Sequence, residues 1–293
     1  MNTITNRRVA VGSALAMMTA ASFGKNVAAQ EASPASHEHG LGPYRQAPET
    51  AVVLTDTELI FPDAVPAGLN KVMFENQSSM DAHVLTFRLP DDVDMDVLWQ
   101  AMADEEAPMP EFLRDQHFPG IPDYPAIGGG VNTGYITYMP GTYLAINLFG
   151  GQAPALFVVS GDPWGVPAPL ADHEVGMVEM RFLGLDEPVD AGEQTWSLVN
   201  HGATWHEIMV IAMPELITPD ELLEFFMSTE SADDLIDAGY FQVGASGIMS
   251  PGVQIWLDFE LKPGAYGALC FAPNDFSGPP HALEGMISTF EVV

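Results

Sequence analysis

Residues 65–76 read VPAGLNKVMFEN and residues 189–200 read VDAGEQTWSLVN. Each is a turn, then an alternating apolar and polar run, then an asparagine. Alternation of this kind marks a strand with one buried face. The match runs on. His83 lines up with His206, after a one-residue difference in the loop that follows the asparagine. TYMPGTYLAIN (137–147) lines up with FELKPGAYGALC (259–270), and His83 to Pro140 and His206 to Pro263 span the same 57 residues. Spacing that holds over half a domain defines two copies of one unit. Alternating runs bounded by turns, in a chain with 27 Gly and 24 Pro, predict an all-β fold of two tandem β-sandwiches. Each unit should carry a short helical insertion after its histidine strand. In the second, Thr218-Pro219-Asp220-Glu221 is a capping-box start that leads into ELLEFFMS. MDVLWQAMADEE, starting at Met95, takes the same place in the first.

The expected organisation is a signal peptide over 1–30, a polar tail over 31–47, a first unit over 48–165 and a second over 172–293. The Pro- and Gly-rich stretch from Asp162 to His173 reads as the linker. In the first segment Arg7-Arg8 precedes the uncharged run VAVGSALAMMTAASFG, and VAA at 27–29 suits signal peptidase. That run is short for a membrane span. The arginine pair points to the twin-arginine route, with a Sec signal as the alternative. The expected location is therefore periplasmic or extracellular, and the processed chain is not an integral membrane protein.

The chain holds 40 acidic and nine basic residues, and three of the basic ones lie in the signal, so the processed form carries about 6 − 40 = −34. Such a charge argues against binding nucleic acid or anionic lipid. It fits a basic partner protein or a saline habitat.

Cys270 is the only cysteine. An exported thiol without a partner is free, intermolecular or metal-bound. It opens the stretch CFAPNDFSGPPHALEGM (270–286), in which His281 and Met286 follow. Asn200 and His206, then Pro263-Gly264-x-Tyr266, Cys270, His281 and Met286 before a last strand form an ordered pattern. It resembles the cupredoxin, or blue copper, family over the whole second unit. The resemblance implies a Greek-key cupredoxin fold for both units and one type 1 copper per chain, in the second. The implied ligands are His206, Cys270, His281 and Met286.

The donor chemistry agrees. Copper cycling between Cu(I) and Cu(II) suits a thiolate, two imidazoles and a weak thioether. Tyr266, Ala268 and Cys270 share one strand face, and Met286, Ser288, Phe290 and Val292 share another. The Cys–His loop, with Pro273, Gly278, Pro279 and Pro280, can turn back on itself. It is longer than in plastocyanin-like relatives and closer to that of copper nitrite reductases. Glu207 follows the first histidine where many relatives have Asn.

Other candidates are weaker. His201 reads as an exposed turn residue, and His37 and His39 belong to the polar tail. His117 and His173 lack partner spacing, and Trp205 reads as core. The first unit has Asn147 at the Cys270 position and no histidine after it, which leaves His83 without co-ligands. The expected function is single-electron transfer to and from a redox partner protein. The rival is a two-domain copper oxidase or nitrite-reductase-like enzyme. Against it, Cys270 sits between Leu269 and Phe271, and the chain's one His-x-His lies in the tail. Copper storage and a purely structural role stay open beside these two.

Overall fold

The computed structural model describes residues 47–103, 116–126, 128–164, 166–229, 232–274 and 278–293. The signal and tail readings, including His37 and His39, lie outside the described residues. The first half runs β1 (Glu49–Leu54), β2 (Leu59–Ile60), β3 (Ala64–Asn76), β4 (Val84–Arg88), helix α1 (Met95–Ala103), β5 (Pro122–Asp123), β6 (Gly130–Tyr138), β7 (Gly141–Asn147) and β8 (Ala155–Trp164). The second runs β9 (His173–Val178), β10 (Arg181–Leu183), β11 (Gly192–Asn200), β12 (Met209–Met213), α2 (Pro219–Ser228), α3 (Ala232–Asp237), β13 (Phe241–Ser246), β14 (Gln254–Leu261), β15 (Gly264–Leu269) and β16 (Ile287–Val292). The all-β architecture of two tandem sandwiches with helical insertions holds. β8 continues through Trp164, so the strand runs into the stretch expected to be linker.

The pairing repeats as the sequence does. β1 lies parallel to β3 as β9 does to β11. β3 and β6 are antiparallel, like β11 and β14. β4, β7 and β8 pair in turn, like β12, β15 and β16. The strands obey the period of two: Val72, Phe74 and Asn76 are buried on β3, and Gln194, Trp196, Leu198 and Asn200 on β11.

Two repeated motifs have a physical cause. Tyr143 Oη donates to the carbonyl of Met139 (3.0 Å) and accepts from its N–H (3.2 Å). Tyr266 does the same with Lys262, at 2.9 and 3.0 Å. The Pro-Gly-x-Tyr signature is thus a tyrosine that ties the end of one strand to the next. Asn76 and Asn200 tie the loops that lead to the two histidines. Asn200 Nδ2 donates to Thr204 O (2.9 Å) and Met249 O (2.8 Å), while Oδ1 accepts from Gly202 N–H (2.9 Å). Asn76 makes the matching bonds to Met80 O and from Ser78 N–H.

The halves are not independent sandwiches. β14 pairs with β6 through Trp256–Tyr135 and Leu257–Gly134, so one sheet crosses the molecule. β5 of the first half pairs with β13 and completes the second half's other sheet. One apolar core runs through both halves, from Val52 and Phe74 to Cys270 and Phe290. A second cluster lies beneath α2, where Leu222 and Phe226 cover Met209, Ile211 and Leu269. The expected capping box starts that helix: Thr218 Oγ1 accepts from Glu221 N–H, and the Glu221 carboxylate accepts from Thr218 N–H.

At the junction a Cβ on Gly134 would lie 2.6 Å from the Trp256 carbonyl oxygen and from a Leu257 methyl. Gly134→Ala should therefore cost roughly 1–3 kcal/mol by overpacking the shared sheet. Tyr143→Phe, which removes one repeated tie, should cost about 1 kcal/mol. Urea unfolding of the two variants checks both magnitudes.

Candidate metal centre

The site is built at one end of the second sandwich. His206 ends the loop that Asn200 holds, and its backbone pairs with Met249 in both directions, at 3.1 and 2.8 Å. Gly202 leaves room for the ring: a Cβ there would stand 2.7 Å from His206 Nε2. Cys270 follows the last residue of β15. The chain then turns back, as the prolines and glycine of this loop allow. His281 N–H donates to Ala272 O (3.0 Å), and Ala282 N–H to Cys270 O (2.7 Å). Met286 is locked to both: its N–H donates to His281 O (2.9 Å) and its O accepts from Cys270 N–H (3.2 Å).

These ties bring the three strongest candidate donors together in a buried place. One atom each from His206, Cys270 and His281 lies within 4.8 Å of the others. Cys270 Sγ is 3.6 Å from His281 Nδ1 and 3.9 Å from His206 Nδ1, and the two Nδ1 atoms are 3.1 Å apart. Met286 is fully buried in the same core cluster as Cys270, Phe290 and Val292. Its backbone therefore holds it at the site, and its side chain lies in the core that abuts it.

The far nitrogens of the rings are engaged elsewhere. His281 Nε2 is 3.0 Å from Asn274 Oδ1, and Asn274 Nδ2 donates to Glu284 (2.8 Å). An amide oxygen can only accept, so the proton sits on Nε2 and leaves the Nδ1 lone pair facing inward. His206 Nε2 has Thr204 Oγ1 at 3.5 Å. Burial and the neighbouring His281 hold His206 down to about 4, despite the upward pull of Glu179. Burial likewise lowers His281, against Glu284 and Glu179. Both rings are thus neutral near pH 7, as metal ligation requires.

The thiol tells the same story from the other side. Burial pushes the Cys270 thiol well up, and the Glu207 carboxylate adds to this, while the N–H groups of Glu207 and Ala272 pull it back. The Glu207 N–H lies 3.4 Å from Sγ. A thiolate is therefore disfavoured here without a cation. A soft cation bound by all three donors removes that penalty. The cluster fits a type 1 copper site of the cupredoxin kind.

Copper proteins of known structure align with the chain. The dithionite-reduced auracyanin from Roseiflexus castenholzii does so at 19% identity over 41% of this chain and 94% of its own, with a TM-score of 0.29. A multicopper oxidase aligns at 15% identity over 84% and 88%, with a TM-score of 0.24. The copper nitrite reductase from Nitrosomonas europaea aligns at 12% identity over 84% and 93%, with a TM-score of 0.25. No protein-family model matches the chain, and no curated protein matches it significantly.

The other sequence candidates stand apart. His201 is exposed, as expected. His173 Nε2 is spent on the Gly184 carbonyl at 2.8 Å, and His117 pairs through its backbone with Arg88. Trp205 packs edge-on against Phe118, across the boundary between the halves. His83, expected to lack co-ligands, has carboxylates for neighbours instead. It is buried, with Nδ1 2.8 Å from Asp123 Oδ2 and Nε2 3.9 Å from Glu207 Oε2. Sequence reasoning missed Asn274 and Asp123, and it marked Glu207 only as a departure from the family pattern, without the contacts of its carboxylate. Asn274 had a signal, a polar side chain inside the Cys–His loop.

Asn274→Ala should free the His281 ring while leaving every donor in place. Copper affinity should fall by about tenfold, the usual cost of removing the group that orients a ligand imidazole. Competition titration against a chelator measures it.

Proposed function

We propose that the protein is an exported type 1 copper protein that carries single electrons, with His206, Cys270, His281 and Met286 as its ligands. The observation that carries the reading is the convergence of Cys270 Sγ and two imidazole Nδ1 atoms within 4.8 Å, all buried. A copper ion there supplies a Cu(I)/Cu(II) couple. The chain's part is to hold the donors still and keep water out. His206 is fixed by its Met249 pairing, His281 by Asn274 and by the returned loop, and Cys270 by its bond to Met286 O. A ligand set held this rigidly changes little between oxidation states, which suits fast electron exchange.

The residues beside the cysteine favour a carrier over an enzyme. Leu269 and Phe271 both pack into the apolar cluster beneath α2, and Phe271 meets Phe226 edge-on at 6.4 Å. Neither offers a polar relay. Among the described residues, His206, Cys270 and His281 form the one group of three or more metal-ligating side chains. Export through the Arg7-Arg8 segment completes the proposal, as does a basic redox partner suited to the acidic chain. No helix among the described residues is long and apolar enough to cross a membrane.

Copper-loaded protein should show an intense thiolate-to-copper band in the visible, with one copper per chain. Cys270→Ser should abolish the band, because a hydroxyl is no soft donor. Met286→Leu should keep it and raise the reduction potential, because a weak donor that favours Cu(II) is lost. A colourless wild type under these conditions overturns the reading. Oxidase or nitrite reductase turnover well above that of free copper would favour the enzyme.

A further inference from the structure

We propose that His83 and Asp123, both from the first half of the chain, are positioning residues for the metal centre of the second half and act on Cys270 through Glu207. The inference rests on the copper reading only for what the site binds. The contacts themselves belong to the polypeptide.

The chain of contacts crosses the boundary between the halves. Asp123 lies on β5, which joins the second half's sheet through β13. Its carboxylate accepts from Val84 N–H at 3.0 Å and grips His83 Nδ1 at 2.8 Å. The His83 ring is stacked on Tyr124 (4.8 Å between centroids, 25° between planes) and on Phe149 (5.1 Å, 24°). Its backbone N–H is held by Asn147 Oδ1 at 2.9 Å. A ring fixed this firmly has one free direction, and there Nε2 faces Glu207 Oε2 at 3.9 Å. All three side chains are nearly inaccessible: Asp123 is 0%, His83 2% and Glu207 2% exposed.

Glu207 is the hinge of the arrangement. Oε2 is buried without a hydrogen-bond partner, so His83 is its nearest compensation. The carboxylate also accepts from the Phe271 backbone N–H, next to Cys270. The Glu207 N–H points at Cys270 Sγ from 3.4 Å. One residue thus clamps the cysteine from both sides, with its main chain on the sulfur and its side chain on the next peptide. Burial pulls the His83 pKa down, while the Asp123 hydrogen bond and the charges of Glu207 and Asp123 pull it up, and the upward pull is the larger. His83 Nε2 and Glu207 Oε2 thus face each other in a buried place, where an unpartnered polar group is costly. Without the His83 ring nitrogens, Oε2 loses its nearest polar neighbour, and the side chain that holds the Phe271 N–H beside Cys270 is less firmly placed.

The pattern also gives the first half a task. Its site has no thiol, since Asn147 stands at the matching place. Asn147 instead ties the His83 backbone, and His83 serves the neighbouring half.

The test uses full-length protein and two readouts. In the metal-free form, the rate at which a maleimide labels Cys270 reports how firmly the thiol is held, and no other cysteine interferes. In the copper form, the visible band and the reduction potential report the sulfur's environment. His83→Phe keeps the stacked ring and removes both nitrogens, and Asp123→Asn keeps the shape and removes the charge. Either should accelerate labelling about threefold to tenfold, the size expected within one coupled network. Each should also lower the potential, because a weaker N–H bond to sulfur favours Cu(II). In a Glu207→Gln background the same substitutions should add nothing further. Tyr143→Phe, in the first half but outside this chain of contacts, should lose stability without changing labelling. Unchanged labelling in His83→Phe or Asp123→Asn overturns the proposal. So does an effect that persists with Gln at 207, or one that Tyr143→Phe reproduces. A wild type without colour would sink the copper reading and leave the labelling result to decide this one.

Discussion

Two backbone pairings hold the molecule together, β6 with β14 and β5 with β13. Each makes a sheet that begins in one half and ends in the other. Sheet edges carry unpaired N–H and C=O groups, and these two pairings satisfy edges that separate sandwiches would expose. The core follows, running unbroken through both halves. So does the close approach at Gly134, where the crossing leaves no room for a methyl group. The same joint places Asp123 within reach of His83 and brings His83 to the back of the metal centre.

Within that frame the centre is a problem of incompatible charges solved by geometry. A thiol and two neutral imidazoles are brought together where water is absent. Desolvation opposes every charged form: it raises Cys270 and lowers both histidines. The proton states that result are two neutral imidazoles and a thiol, the donor set a soft cation binds. Backbone N–H groups from Glu207 and Ala272 prepare the sulfur for negative charge, and Asn274 prepares the His281 ring. Glu207 complicates the arrangement, because burial pushes its carboxyl up to about 7 against the opposing pull of His83 and the Phe271 N–H. Its Oε2 is buried without a hydrogen-bond partner, and His83 Nε2 at 3.9 Å is the polar group placed to answer it.

The two halves show how one scaffold diverges. Both keep the asparagine that ties the histidine loop and the tyrosine that ties a strand to its predecessor. These are bonds of the fold, indifferent to what the site holds. The cysteine position is free to change, and Asn147 there bonds the His83 backbone and Gln152. A histidine that could have been a ligand has become a brace.

The sequence by itself determined the repeat, the strands and the order of the candidate donors. Alternation at period two, the Asn and Pro-Gly-x-Tyr signals and the capping box at Thr218 are local, and local patterns survive in one dimension. The order Cys270, His281, Met286 was legible because one loop and one turn connect them. His206 was legible through the repeat and the family pattern. The partnership of Asp123, His83 and Glu207 was not. Asp123 lies 40 residues from His83, and Glu207 belongs to the other half. No spacing rule links residues that meet only after two sheets have been joined. Asn147 marked the loss of a ligand in sequence, which made His83 look purposeless. Only tertiary structure could show the contrary, because the carboxylate that His83 answers arrives with the second half.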